Sequence, residues 1–292
     1  MEGVILEYYF FKESLTRLNN EQKKDFILND STIFNYATFL DIGKYFSYNS
    51  LRKDKIKLQD RWNDLDTFPS FLVECLIEVN LHYSPEKLMM LYAMASSYIL
   101  KIRIYPYLKT KVNDSQSLDE ILKMLDYVYA KKYDSWELNK IKLTKKFPDG
   151  FIYIPSMYQV IHYPIIKIYK LFVNENYFKN CYKKKKKFFS FFASSFLYIK
   201  IPYLKIIGLR LRNKRKKLTS YFYNNKIDTT ILNKAKSPYQ INNKEYKYTL
   251  DEQIELALND VTQLNIAIYN YVMFNKDKEI RKILKIDSNK KL

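Results

Sequence analysis

The most regular alternation of apolar and polar positions lies near the C-terminus, where Leu250, Ile254, Ala257, Leu258, Val261, Leu264, Ile268, Tyr271 and Val272 recur every three or four residues. That interval aligns them along one face of an α-helix. Thr249-Leu250-Asp251-Glu252 ahead of them fits a capping box, in which two backbone N–H groups of the first turn are satisfied reciprocally. The same patterning predicts helices over roughly 5–19, 33–47, 66–80, 85–103 and 118–132. Ser84-Pro85-Glu86 offers an N-cap serine and a first-turn proline for the fourth, and Ser117-Leu118-Asp119-Glu120 offers a second capping box for the fifth. Between 151 and 220 the apolar stretches are interrupted by Pro155, Pro164, Pro202 and a lysine block, and the pattern assigns no clear element. Ile231 to Lys247 is polar and reads as a connection packed over the surface.

Composition narrows the fold class. A chain of 292 residues that is 47% hydrophobic can bury a sizeable core. Its 4 Gly and 8 Pro are too few for the repeated turns of an all-β sandwich or barrel, so the expectation is an all-α domain of long helices spanning 1–287, with a tail at 288–292. The 28 Tyr and 19 Phe can build an aromatic-rich core, although A/T-rich coding would produce the same excess of Lys, Asn, Ile and Tyr. Cys75 and Cys181 form no disulfide framework and no CxxC metal motif. The N-terminal residues lack the basic start and unbroken apolar stretch of a secretory signal, which with the cysteine usage points to the cytoplasm.

Charge changes the picture in one place. Of a net +19, Lys183 to Lys217 contributes 13 Lys or Arg and no Asp or Glu. Inside that segment the apolar stretch Phe188 to Ile199 is shorter than the roughly 20 residues of a spanning helix. Three readings stand: a membrane span, an interfacial element, or a buried helix with solvated basic flanks. On the second, Lys183, Lys184, Lys185, Lys186 and Lys187, together with Arg210, Arg212, Lys214, Arg215, Lys216 and Lys217, would meet an anionic membrane surface while Phe188, Phe189, Phe191, Phe192 and Phe196 enter the headgroup region. Nucleic-acid binding by the same residues is the alternative, with lysines on phosphates and rings for stacking, though no recognition motif accompanies them.

Several short matches occur in a consistent order along the chain. Glu7-Tyr8-Tyr9-Phe10, Asp41-Ile42, the run Ser97-Tyr98-Ile99-Leu100-Lys101-Ile102-Arg103-Ile104-Tyr105-Pro106-Tyr107, Leu118-Asp119-Glu120-Ile121-Leu122 and Leu125-Asp126 are followed by Leu232-Asn233, Ser237-Pro238-Tyr239 and Tyr248-Thr249-Leu250-Asp251. Together they resemble the zinc-dependent phospholipase C family, over most of 5–132 and 228–275. The resemblance implies an all-α fold whose metal cluster, in active members, sits among helices of the first half of the chain.

It also implies that the metal is lost. The positions corresponding to metal ligands are Glu7, Asp41, Asn63, Ser97, Lys101, Tyr105, Leu118 and Leu122. Zinc needs imidazole, carboxylate or thiolate donors, normally four per ion, and only Asp41, with Glu7 as a substitute, could serve. Lysine repels a cation and leucine has no donor atom. The expectation is that Lys101 fills the vacated centre, paired with Asp41 and Glu7, unless it snorkels to the surface. His82 and His162 stand alone, Ser96-Ser97 and Ser194-Ser195 lack a nucleophile-elbow context, and four glycines build no phosphate loop. The sequence therefore leads to a protein without metal or cofactor and without a nameable catalytic residue, binding at an anionic membrane surface. A hydrolase with a reorganised site is the remaining alternative.

Overall fold

Eight consecutive residues, Val4 to Phe11, are buried, Glu7 among them, so the first two turns of helix α1 (Val4–Thr16) are enclosed on every side. A helix apolar all round belongs inside a fold, whereas a surface helix shows one stripe. In the computed structural model, which describes residues 3–45, 62, 64–110, 118–136, 138, 143–192, 239–241, 244–246 and 248–285, several of the remaining elements pack around α1. They are α2 (Asn20–Lys23), α3 (Asp30–Ala37), a 3-10 turn (Leu40–Tyr45), α4 (Phe68–Leu81), α5 (Pro85–Lys109) and α6 (Leu118–Asp134). Then come α7 (Leu143–Lys146), α8 (Pro155–Tyr169), α9 (Glu175–Phe192), β1 (Tyr239–Ile241), β2 (Lys244–Tyr246), α10 (Leu250–Phe274) and α11 (Lys278–Leu284).

The fold is all-α. Its described strands are one three-residue antiparallel pair, with Tyr239 opposite Tyr246, inside the polar connection before α10. α1 packs against α3, α5, α6 and α10, and α5 lies along α10 over the most extensive helix pairing among the described residues. α4 packs on α8, while α9 covers the 3-10 turn and α7. Aromatic rings join the outer elements to the axis. Phe34 of α3 stacks on Phe147 at 4.2 Å, Tyr8 of α1 meets Phe147 at 5.0 Å, and Phe151 meets Phe189 of α9 at 5.2 Å. Each such ring removed from water stabilises the fold by roughly 1.5–3 kcal/mol.

Local signals fix where these helices begin. Thr249 Oγ1 accepts the N–H of Glu252 at 3.3 Å while Glu252 Oε2 accepts that of Thr249 at 2.7 Å, so the capping box forms as its sequence requires. Ser84 Oγ accepts the N–H of Lys87 at 3.3 Å, capping α5. Ser117 lies outside the described residues.

Several expectations are corrected. The helix expected over 33–47 begins at Asp30, under an Asn29 cap, and ends at Ala37. There Thr38 turns its hydroxyl back to the Phe34 carbonyl at 2.8 Å and the chain tightens into the 3-10 turn. The one expected over 85–103 continues to Lys109 through Pro106. The stretch from 151 onward, left without elements, holds two helices among its described residues. Pro155 opens α8 at a position whose N–H has no intrahelical partner, and Pro164 lies within it at the cost of one hydrogen bond. Buried Val160, Ile161 and Ile165 offset that loss.

Candidate functional site

Four of the eight positions matched to metal ligands lie along α1 in two pairs. Glu7 and Ser97 face one gap, completed by Phe10, Phe11, Ala37, Ala93, Ser96 and Leu100, whose walls are too close to admit a water molecule. Both are buried, and Ser97 Oγ has no hydrogen-bond partner among the described residues. Beside it Ser96 Oγ lies 3.3 Å from Ser14 Oγ, tying α5 to α1. At the N-terminus of α1, a side chain on Gly3 would meet Leu122 Cδ2 at 3.5 Å and Tyr105 Oη at 3.9 Å. Gly3 also holds a left-handed φ of 76°, which a residue with a Cβ resists. Tyr105 of α5 and Leu122 of α6 thus close over the end of α1.

The other four are placed less tightly. Asp41 is buried in the 3-10 turn, Lys101 is half-buried one helical turn beyond Ser97, and Leu118 is half-buried at the start of α6. Asn63 lies outside the described residues. Hydroxyls, two leucine or tyrosine walls and an ammonium cannot build a zinc site. Among the described residues no group of three or more His, Cys, Asp or Glu is arranged to hold a metal. The residues present do not fit the ion that the resemblance implies. Neither histidine stands near this gap: His82 ends α4, and His162 of α8 packs its ring on Tyr158 at 4.9 Å.

Asp126 has a role the sequence conceals. Fully buried on α6, its carboxylate accepts the N–H groups of Gly3 at 3.1 Å, Ile5 at 2.9 Å and Leu6 at 2.8 Å. Gly3 has no side chain to cap α1, so a carboxylate from another helix takes the exposed donors and complements the positive end of the helix dipole. Elsewhere on α1, burial and then hydrogen bonding to Asp30 push the Tyr8 phenol well up, and burial and then Asp134 do the same for Tyr9.

The basic run sorts itself by helical angle. Five consecutive residues at about 100° each cover more than a full turn, so a helix made from Lys183 to Lys187 must aim one lysine at the core. That residue is Lys185, fully buried, which corrects its expected place on the surface. Its ammonium donates to the Thr38 carbonyl at 3.0 Å and to Thr38 Oγ1 at 2.6 Å. It also lies 5.9 Å from the Phe34 ring centre, 5.8 Å from that of Phe151 and 5.9 Å from that of Tyr182. Ring faces and a carbonyl replace part of the hydration a buried ammonium gives up.

Lys183, Lys186 and Lys187 are exposed and Lys184 is half-buried. Phe189 is fully buried and Phe188 half-buried, so these two rings face the protein and are not laid out for the headgroup region. The side chains of Phe191 and Phe192, and the whole of Phe196, Arg210, Arg212 and Lys214 to Lys217, lie outside the described residues. Among the described residues no helix is long and apolar enough to cross a membrane.

No protein-family model matches the chain, and neither a curated protein nor a solved structure matches it.

Proposed function

We propose that this chain is a non-catalytic derivative of the phospholipase C-like helical fold that acts by binding an anionic membrane surface from the cytoplasmic side. The outer face of α9 carries the binding claim. Lys183, Lys186 and Lys187 stand exposed there and take no carboxylate partner among the described residues. Each basic side chain near an anionic leaflet contributes about 1 kcal/mol, and the sequence continues basic to Lys217.

The non-catalytic part is supported by the closed gap at Glu7 and Ser97 and by the donor-poor set around it. On this reading Lys101, half-buried one turn beyond Ser97, supplies the counter-charge that the buried carboxylates of Glu7 and Asp41 need.

Co-sedimentation at one fixed ionic strength tests the binding claim, with phosphatidylserine-containing vesicles, neutral phosphatidylcholine vesicles and a single-stranded oligonucleotide in parallel. Pelleting with the anionic vesicles alone, weakening as salt is raised, is expected. Capture of the oligonucleotide without vesicle binding would replace the membrane by nucleic acid. Elemental analysis of the same preparation should find no stoichiometric zinc, and a zinc ion per chain would overturn the loss of the metal site.

A further inference from the structure

We infer that the turn joining α8 to α9 is the point at which the protein enters the bilayer, with Phe172 inserted at the acyl boundary of an anionic leaflet. This rests on the membrane-binding proposal above and supplies what the α9 lysines lack. The exposed face of α9 carries Asn176, Asn180, Lys183 and Lys187, which is polar throughout, while the rings expected beside the lysines turn inward at Phe189. Charge alone would leave the protein over the headgroups, and among the described residues of α9 no fully exposed ring supplies an apolar contact.

Phe172 is 80% exposed, the most exposed large apolar side chain of the described residues. Its position is built. The turn runs Lys170-Leu171-Phe172-Val173-Asn174, and Leu171 and Val173 on either side pack against the core, so the alternation of an extended segment drives Phe172 outward. Val173 is fastened further, its carbonyl accepting the Tyr158 hydroxyl at 3.1 Å. A relay of rings supports the base of the turn: Phe172 meets His162 at 6.3 Å, His162 meets Tyr158 at 4.9 Å, and Tyr158 meets the buried Phe178 at 5.4 Å.

Next to the turn Glu175 and Lys179 pair with each other at 3.0 Å, so the positive charge left beside Phe172 is that of Lys170. Lys170 is exposed and takes no carboxylate partner among the described residues. Tyr163, 55% exposed on α8, has Lys167 Nζ at 5.9 Å from its ring centre, and that ammonium is held by Glu74 at 2.7 Å, so the ring and not the charge is what α8 offers to the headgroup level. The lysine face of α9 begins within about 12 Å of the same end of that helix, taking Lys183 as its first member. A ring with Lys170 at its base and the α9 lysines beyond it matches an anionic leaflet, where the ring reaches hydrocarbon while those lysines stay with phosphates.

The test uses the full chain with phosphatidylserine-containing and phosphatidylcholine vesicles. Phe172→Ser should keep the thermal melt of the parent protein and lose roughly tenfold in partitioning onto anionic vesicles. Phe172→Trp should show a blue-shifted emission on anionic vesicles that lipids brominated along the acyl chain quench, an increment absent from the parent, whose Trp62 is buried and Trp136 half-buried. If the parent pellets but Phe172→Ser pellets equally, or the new tryptophan is not quenched, the insertion point is wrong and the lysine-mediated binding stands. If the parent does not pellet with anionic vesicles, both fall.

Discussion

Asp126 accepts the backbone N–H of Leu6 at 2.8 Å across 120 positions of sequence, so the helix at the centre of the molecule is capped from a different helix. With Ile5 and Gly3 on the same carboxylate, three of the first donors of α1 depend on one side chain. Asp126→Ala should cost about 3 kcal/mol, because it leaves buried N–H groups unpaired as well as removing their acceptor. Asp126→Asn keeps one acceptor oxygen and should cost less. Urea denaturation of the two variants checks this, and equal stability of Asp126→Ala and the parent would refute the cap.

Lys185 and Lys183 are neighbours in the same run with opposite fates. Lys185→Ala should destabilise by about 3 kcal/mol, since it opens a cavity among Phe34, Phe151 and Tyr182 and strips Thr38 of its donor. Lys183→Ala, on an exposed position, should stay within about 0.5 kcal/mol in stability and weaken vesicle binding instead. Paired denaturation and co-sedimentation curves separate the two effects. A Lys183→Ala variant as unstable as Lys185→Ala would mean the helix is rotated.

Alkaline titration addresses the buried phenols. Burial pushes Tyr36, Tyr92, Tyr129 and Tyr182 well above their ordinary value of 10.0. The folded chain therefore binds more protons than the unfolded chain once the pH passes that value. Stability from these groups is complete below pH 10.0 and declines as pH rises above it. Ultraviolet absorbance of tyrosinate should rise in two stages, exposed phenols first and a large second group only together with loss of helical circular dichroism. A single stage near the ordinary value, with helix retained, would contradict the burial.

What the sequence discloses follows the range over which each signal acts. α10 and the start of α5 are legible because caps and periodicity are written within a few residues: Thr249 and Glu252, Ser84 and Lys87. α8 is hidden because Pro155 and Pro164 read as breakers, whereas one sits where no donor is needed and the other is outweighed by its buried neighbours. Charge counted over a segment treats Lys185 like Lys183; a helix separates them by angle. For the candidate site, the sequence names Glu7, Ser97, Tyr105 and Leu122; the first two line one gap and the other two lie beside Gly3. It is silent on Asp126 as a cap, because the donors it serves lie on the other side of the fold's connectivity, and on Phe172, because an outward ring looks like any other in an apolar stretch.

The enclosure of α1 has a consequence for synthesis. On the ribosome α1 emerges before every helix that will cover it, and its last partner, α10, ends at Phe274. At about 5–20 residues per second, translation leaves that apolar helix waiting on the order of ten seconds or more for its final neighbour. Nascent chains of this protein should therefore be clients of ribosome-associated chaperones, and slowing elongation should lower the yield of native protein more than it would for a fold whose first helix is amphipathic.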